Sequence, residues 1–177
     1  MIGVLVSGEG SNLQALLDAG LPVCAVASSR AGVRALERAT EAGLPAATFP
    51  LADFESREQR DAVLANWLQE HGVRLVVCAG YMQLLTNDFL ARFPERIVNV
   101  HPSLLPAFPG TRAIDDALAA GVETTGVTVH LVDEGVDTGP VIAQEPVAVH
   151  PAETLADRIH AVEHRLLPEV VRELCAR

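Results

Sequence analysis

The chain has no lysine. All 13 of its basic residues are arginine, against 23 Asp and Glu, giving a formal net charge of −10 and an isoelectric point near 4.9. A nucleic-acid backbone or an anionic membrane calls for a basic patch, so neither is expected as a partner. Cysteine is scarce too. Cys24, Cys78 and Cys175 are odd in number, far apart and without metal-ligand spacing. Cys24 and Cys78 lie inside apolar runs, the habit of reduced core thiols in a cytoplasmic protein. No apolar run approaches the ~20 residues that a spanning helix needs. The N-terminus enters a strand pattern with no basic segment before it, which argues against a signal peptide. Repeats, low-complexity tracts and linkers are missing as well. What is plentiful is apolar: 49% of the 177 residues are hydrophobic and only 20% are charged. That describes one folded domain, 1–177, large enough to need no staples.

Strand-like runs alternate with helix-like ones. Ile2–Val6, Val23–Ala27, Ala46–Phe49, Leu75–Ala79 and Arg96–Val100 read as strands. Between them, Ser11–Ala19, Val33–Ala42, Ser56–His71 and Asn87–Phe93 read as helices, with Gly43 and Gly72 as stops. In Ser56–His71 the apolar stripe is Val63, Leu64, Trp67 and Leu68. After a helix at Ala113–Ala120 the rhythm changes. Gly126–Val132 and Val141–Val149 are extended runs joined through Gly135–Gly139, which suggests a hairpin. A long helix, Thr154–Leu174, ends the chain, with Leu155, Ile159, Val162, Leu166 and Val170 on one face. Thr154 and Asp157 have the spacing of a capping box. The pattern predicts an α/β fold: a doubly wound, mostly parallel mixed sheet with right-handed crossovers, flanked by helices and Rossmann-like.

Three stretches carry chemistry. Asn99 to Gly110 (N-V-H-P-S-L-L-P-A-F-P-G) stops being strand abruptly, because Pro102, Pro106 and Pro109 remove backbone donors and fix φ. Asn99 and His101 are two apart on the strand end, so their side chains share a face. An amide and an imidazole there suit a developing oxyanion. Taken alone, an N-x-H could equally be an ordinary strand-end histidine beside a rigid turn. The second stretch, Ser7 to Leu13 (S-G-E-G-S-N-L), lies between a strand and a helix. Glycines and a helix N-terminus can turn N–H groups toward a phosphate, without lysine. As a dinucleotide fingerprint it fails for NAD, though Arg30 leaves an NADP reading open. Leu13 replaces the third glycine, and Ser28-Ser29-Arg30 stands where an acidic residue would be. Glu9 is expected to point outward. The third, Asp133 to Pro140 (D-E-G-V-D-T-G-P), holds three carboxylates but lacks EF-hand spacing. Asp137, between Gly135 and Gly139, is the carboxylate best placed to fold inward and hold His101 charged. Asp133 and Glu134 read as a solvated turn, and His71, His130, His150 and His164 as structural histidines.

In chain order, the segments at 7–13, 79–85 (A-G-Y-M-Q-L-L), 99–110 and 133–140 closely resemble the phosphoribosylglycinamide formyltransferase family, the folate-dependent glycinamide ribonucleotide transformylases of purine biosynthesis. The likeness covers essentially the whole chain. It implies a formyltransferase-type fold and transfer of formyl from 10-formyltetrahydrofolate to the amine of glycinamide ribonucleotide, without a metal. It implies Asn99, His101 and Asp137 as the catalytic trio, and Gly10, Ser11 and Asn12 as the phosphate loop. By the same likeness Glu163 binds the glycinamide portion, and His160, one turn away, shares that region. The folate would be met by Arg57, Met82, Gln83, Leu84, Leu85, Asn99, Asp133, Glu134, Gly135, Val136 and Asp137. Small-molecule substrates, a cytoplasmic location and a monomer or homodimer follow as expectations.

Some positions depart from the family pattern. Gln83 stands where arginine is often found, Ile114 replaces a histidine of some relatives, and the chain stops soon after its last helix. Relatives on the same formyl-folate core are the nearest alternatives. A tRNA formyltransferase calls for a second domain and a basic surface. A formyltetrahydrofolate hydrolase usually has a further N-terminal domain. A non-catalytic nucleotide-binding module would keep the loop but not depend on His101.

Overall fold

The computed structural model describes residues 1–176. Its first strand, β1 (Ile2–Val6), is buried along its whole length, as a strand covered on both faces must be. Then follow α1 (Ser11–Asp18), β2 (Val23–Ser28), α2 (Arg34–Glu41), β3 (Ala46–Thr48), α3 (Arg57–Glu70) and β4 (Leu75–Cys78). The chain continues through α4 (Asn87–Arg92), β5 (Ile97–His101), α5 (Ala113–Ala120), β6 (Thr124–Leu131), β7 (Val141–Ala148) and α6 (Leu155–Ala176). Every expected element is present, with its ends moved by two residues at most. The strand order is β3-β2-β1-β4-β5-β6-β7. β1 runs parallel to β2 and β4, β2 runs parallel to β3, and β6 is antiparallel to β7. The sheet is therefore mixed and mostly parallel, with helices between its strands. No helix among the described residues is long and apolar enough to cross a membrane.

Internal contacts divide the chain into two compact units, Met1–Val98 and the part from Asn99 onward, with the division inside β5. In the first unit, Val4 and Leu5 of β1, Leu13 and Leu16 of α1, and Leu64 and Leu68 of α3 are all 0% exposed. Each such leucine contributes about 1.5–3 kcal/mol by leaving water. The buried stripe of α3 is not the expected one. Val63 is 42% exposed, while Arg60 and Asp61 are buried along with Leu64, Ala65 and Leu68. Ser56 caps this helix, its hydroxyl accepting the Gln59 N–H at 3.1 Å.

The second unit packs α6 on the hairpin. Leu155, Ile159, Leu167 and Val171 of α6 and Val127 and Val129 of β6 have no exposure. β6 has no wet face over most of its length: Thr125 through His130 are all buried. β7 ends the strand order and tolerates Pro146, as an edge strand can. The capping box expected at Thr154 is not formed. Thr154 lies in a 3₁₀ turn, Ala152–Thr154, where its hydroxyl donates to the Pro151 carbonyl at 3.3 Å and accepts from Arg158 at 3.3 Å.

Candidate active site

The proline-rich exit from β5 is held by side chains of the hairpin. The buried Thr128 hydroxyl donates to the Ser103 carbonyl at 2.6 Å and accepts the Leu105 N–H at 3.1 Å. Gln144, opposite Thr128 in the β6–β7 register, donates to the Leu105 carbonyl and to Thr128 Oγ1, each at 2.9 Å. The Ser103 hydroxyl closes the turn on the Ala107 carbonyl at 2.5 Å. Pinned this way, the loop turns two backbone groups inward. The Phe108 carbonyl, at a residue with φ 53°, accepts from His101 Nε2 at 2.8 Å. The Gly110 N–H donates to Asp137 Oδ2 at 2.8 Å.

Asp137 is brought in as expected, and the glycines explain how. A Cβ on Gly139 would lie 1.9 Å from the Leu131 carbonyl oxygen, and one on Gly135 would lie 2.0 Å from Thr138 Oγ1. Only glycine lets the loop cross itself so closely. Asp133 is not merely solvated: its Oδ1 accepts the Gly135 N–H at 3.1 Å and the Thr138 hydroxyl at 2.7 Å, closing the loop. Asp137 itself has φ 54°, which an aspartate tolerates better than most residues. Its carboxylate lies 3.4 Å from His101 Nδ1, 3.6 Å from His130 Nε2 and 3.5 Å from Asn99 Nδ2. His101 thus has a carbonyl at one ring nitrogen and a carboxylate at the other, acceptors for both protons of an imidazolium.

His130 is the residue that sequence reasoning missed. It is 2% exposed and donates from Nδ1 to the Leu131 carbonyl at 2.8 Å. That leaves Nε2 to accept from the Asn99 amide at 3.1 Å. The signal was available in part: His130 is two residues beyond Thr128 on a strand whose both faces are buried. The neighbouring His130 ring, then the Gly110 N–H and the nearby His101 imidazole, hold the Asp137 carboxyl below the usual carboxylate range, against the opposing pull of partial burial. The folded state therefore favours ionised Asp137. That stabilisation is full above the ordinary carboxyl pKa of about 3.9 and is lost as pH falls through the lower folded value. Urea unfolding of the wild type and Asp137→Asn between pH 6 and pH 3 is expected to show a constant gap in midpoint above about pH 4. The gap should narrow below it.

In the first unit, the glycine loop is clamped from behind by α2. The Ala35 N–H donates to the Gly8 carbonyl at 3.1 Å, and Arg38 Nε donates to the Glu9 carbonyl at 2.9 Å. Gly10 has φ 72°, and a Cβ there would lie 2.6 Å from Ala35 Cβ. The first bond inside α1 runs from Gln14 N–H to the Gly10 carbonyl at 2.9 Å, so the N–H groups of Ser11, Asn12 and Leu13 precede it. Glu9 is exposed, as expected. Ser7 ties the loop to the 82–85 segment: its hydroxyl accepts the Met82 N–H at 2.9 Å and shares a 2.6 Å bond with Ser29.

The remaining expected site residues lie as follows. Met82 and Leu84 are 49% and 51% exposed, while Gln83 and Leu85 are half-buried. Arg57 opens α3 and is exposed. Glu134 is exposed, and Val136 is 48% exposed at the tip of its loop. On α6, Glu163 is buried, whereas His160 is exposed and stacks on His164 with ring centroids 6.3 Å apart. Ile114 is half-buried on α5. Among the described residues, no group of three or more His, Cys, Asp or Glu is arranged to hold a metal ion.

Residues 1–171 match the family model described as formyl transferase. The chain is 49% identical to phosphoribosylglycinamide formyltransferase of Mycobacterium tuberculosis, over 97% of its own length and 83% of that protein's. It is 42% identical, over 97% of its length, to the trifunctional purine biosynthetic protein adenosine-3 of Chironomus tentans, and spans 13% of that longer protein. The crystal structure of glycinamide ribonucleotide transformylase 1 from Symbiobacterium toebii superposes with a TM-score of 0.94 at 49% identity. That match covers 97% of this chain and 85% of the other.

Proposed function

The chain belongs to the formyl transferase family, and from that premise we propose that it transfers the formyl group of 10-formyltetrahydrofolate to the amino group of glycinamide ribonucleotide, in de novo purine biosynthesis. The observation that carries this reading is the convergence of Asn99, His101 and His130 on the Asp137 carboxylate. Relatives named phosphoribosylglycinamide formyltransferase support the choice of acceptor.

The chemistry follows from the groups present. The substrate amine attacks as a neutral nucleophile, and a bond forms from its nitrogen to the formyl carbon. The carbonyl oxygen becomes an oxyanion, to which Asn99 and protonated His101 donate; losing one such donor typically costs about 10²–10³ in rate. The 3.5 Å contact from the Asn99 amide to Asp137 is long for a hydrogen bond, so that N–H is the easiest to re-aim at substrate. Collapse of the intermediate breaks the carbon–nitrogen bond to the folate. Asp137, directly or through water, takes the proton that the amine loses and returns it to the departing folate nitrogen. Direct transfer requires both substrates to be held, and positioning accounts for a large part of the rate.

In the same reading Gly10, Ser11 and Asn12 hold the phosphate, and Glu163 receives the glycinamide portion, with exposed His160 at its margin. Arg57, Met82–Leu85 and Asp133–Asp137 meet the folate. No step calls for a metal. The protein acts as a single formyltransferase domain in the cytoplasm, as a monomer or homodimer. The test is an assay of the purified protein with 10-formyltetrahydrofolate, with and without glycinamide ribonucleotide. Formylated ribonucleotide and tetrahydrofolate should appear together and only when the ribonucleotide is present. Tetrahydrofolate and formate released without it would instead identify a hydrolase.

A further inference from the structure

Among the described residues Arg60 is the largest fully buried side chain, 0% exposed, and its neighbour Asp61 is 1% exposed. Taking a guanidinium and a carboxylate out of water is costly unless their hydrogen-bonding groups are met, and apolar side chains of similar size often serve a fold as well or better. The pair's contacts therefore say what it is for. Arg60 Nε and Nη2 engage Asp61 Oδ1 at 2.8 and 2.6 Å. The rest point away from α3. Nη1 donates to Gln83 Oε1 and Nη2 to the Leu84 carbonyl, each at 3.1 Å, while Asp61 Oδ2 accepts the Thr86 N–H at 2.7 Å.

All three outward bonds fall on residues 83–86, which lie outside regular structure until α4 begins at Asn87. The backbone of this segment is anchored on side chains: Ser7 at Met82, Arg60 at Leu84 and Asp61 at Thr86. On that fixed backbone two large apolar side chains, Met82 and Leu84, stay about half exposed. Apolar groups held outward on a rigid support suit contact with a flat ring system. Gln83 is oriented too. With Oε1 tied to Arg60, its amide nitrogen is the end left to donate.

We propose that the buried Arg60–Asp61 pair is a positioning device for the formyl-folate donor, setting the 82–86 segment so that Met82 and Leu84 meet its rings and Gln83 presents a donor. This rests on the function proposed above. The pair acts through the segment.

Arg60→Lys separates positioning from folding, because lysine keeps the charge beside Asp61 but lacks the planar fork that reaches Gln83 and Leu84 together. The expected result is a KM for 10-formyltetrahydrofolate raised about tenfold, the scale of one lost hydrogen bond to a charged group. The KM for glycinamide ribonucleotide should stay within about twofold and kcat should change much less than the folate KM. Amide hydrogen exchange on the free protein should quicken at Leu84–Thr86 and not in β1. Gln83→Leu removes one partner from a half-buried position and guards against a variant that fails to fold. It should raise the folate KM alone. Unchanged folate KM in both variants, or equal rises in both KM values, overturns the proposal. If the wild type transfers no formyl group, the functional reading fails, and the exchange data then decide whether Arg60 anchors the segment.

Discussion

Asp137→Asn is expected to lower kcat by about 10²–10⁴-fold, the range assigned to a positioned acid–base group, while the fold survives. The choice of asparagine matters. Asp137 has φ 54°, a conformation asparagine tolerates and alanine resists, so alanine would mix backbone strain with loss of charge. Asparagine can still accept the Gly110 N–H, now 2.8 Å from Oδ2. What it cannot do is stay ionised beside His101, His130 and Asn99, and its amide hydrogens would face groups that now face a carboxylate. Steady-state kinetics with both substrates, alongside near-UV circular dichroism, check this. A variant within about tenfold of wild-type kcat would remove Asp137 from the proton path.

Gly139→Ala is the second large effect, reached by a different route. The added Cβ would sit 1.9 Å from the Leu131 carbonyl oxygen and 3.3 Å from the Asp133 nitrogen, both backbone atoms that cannot rotate away. The crossing between the end of β6 and the Asp133–Gly139 loop must open. Overpacking of this kind costs about 1–3 kcal/mol, a fall in Tm of roughly 2–12 °C for a chain of this size. The loop that moves also carries Asp137, and a displacement near 1 Å can cost about 10²-fold in rate. Gly135→Ala is the control. Its Cβ would meet Thr138 Oγ1 at 2.0 Å, a side-chain atom that can turn aside at the expense of its bond to Asp133. Thermal unfolding and kcat should both rank Gly139→Ala as the more damaged. Equal damage would mean that the crossing is more pliant than its contacts imply.

Much of this architecture was legible because its signals are local. The apolar runs of β1 and β4, the stops at Gly43 and Gly72, and the i, i+4 spacing along α6 each lie within one element. The N-x-H pair and the prolines after it likewise fix the character of 99–110 without reference to anything distant. What escaped was whatever depends on partners far away in sequence. His130 reads as a strand histidine until β5 brings Asn99 within 3.1 Å, 31 residues earlier in the chain. Arg60 lies outside the apolar stripe that the spacing picks out, and its burial makes sense only with its bonds to Gln83 and Leu84, 23 and 24 residues on. Thr128 and Gln144 pin the proline loop only because the hairpin register sets them opposite each other. Asp133 was misjudged for a smaller reason: an Asx turn and a solvated carboxylate look alike in sequence.

The α2 clamp behind the glycine loop has a thermodynamic consequence. Loops rich in glycine are ordinarily the most mobile part of a phosphate site, and ordering them on binding subtracts from affinity. Here the Gly8 and Glu9 carbonyls are already bonded to Ala35 and Arg38, and Gly10 is seated against Ala35. Those bonds also turn two carbonyl dipoles toward α2, where they would not oppose an arriving anion. A phosphate reaching this loop would meet N–H groups whose ordering has been completed during folding. Its binding free energy would then be spent on the contacts themselves, with little lost to freezing the chain.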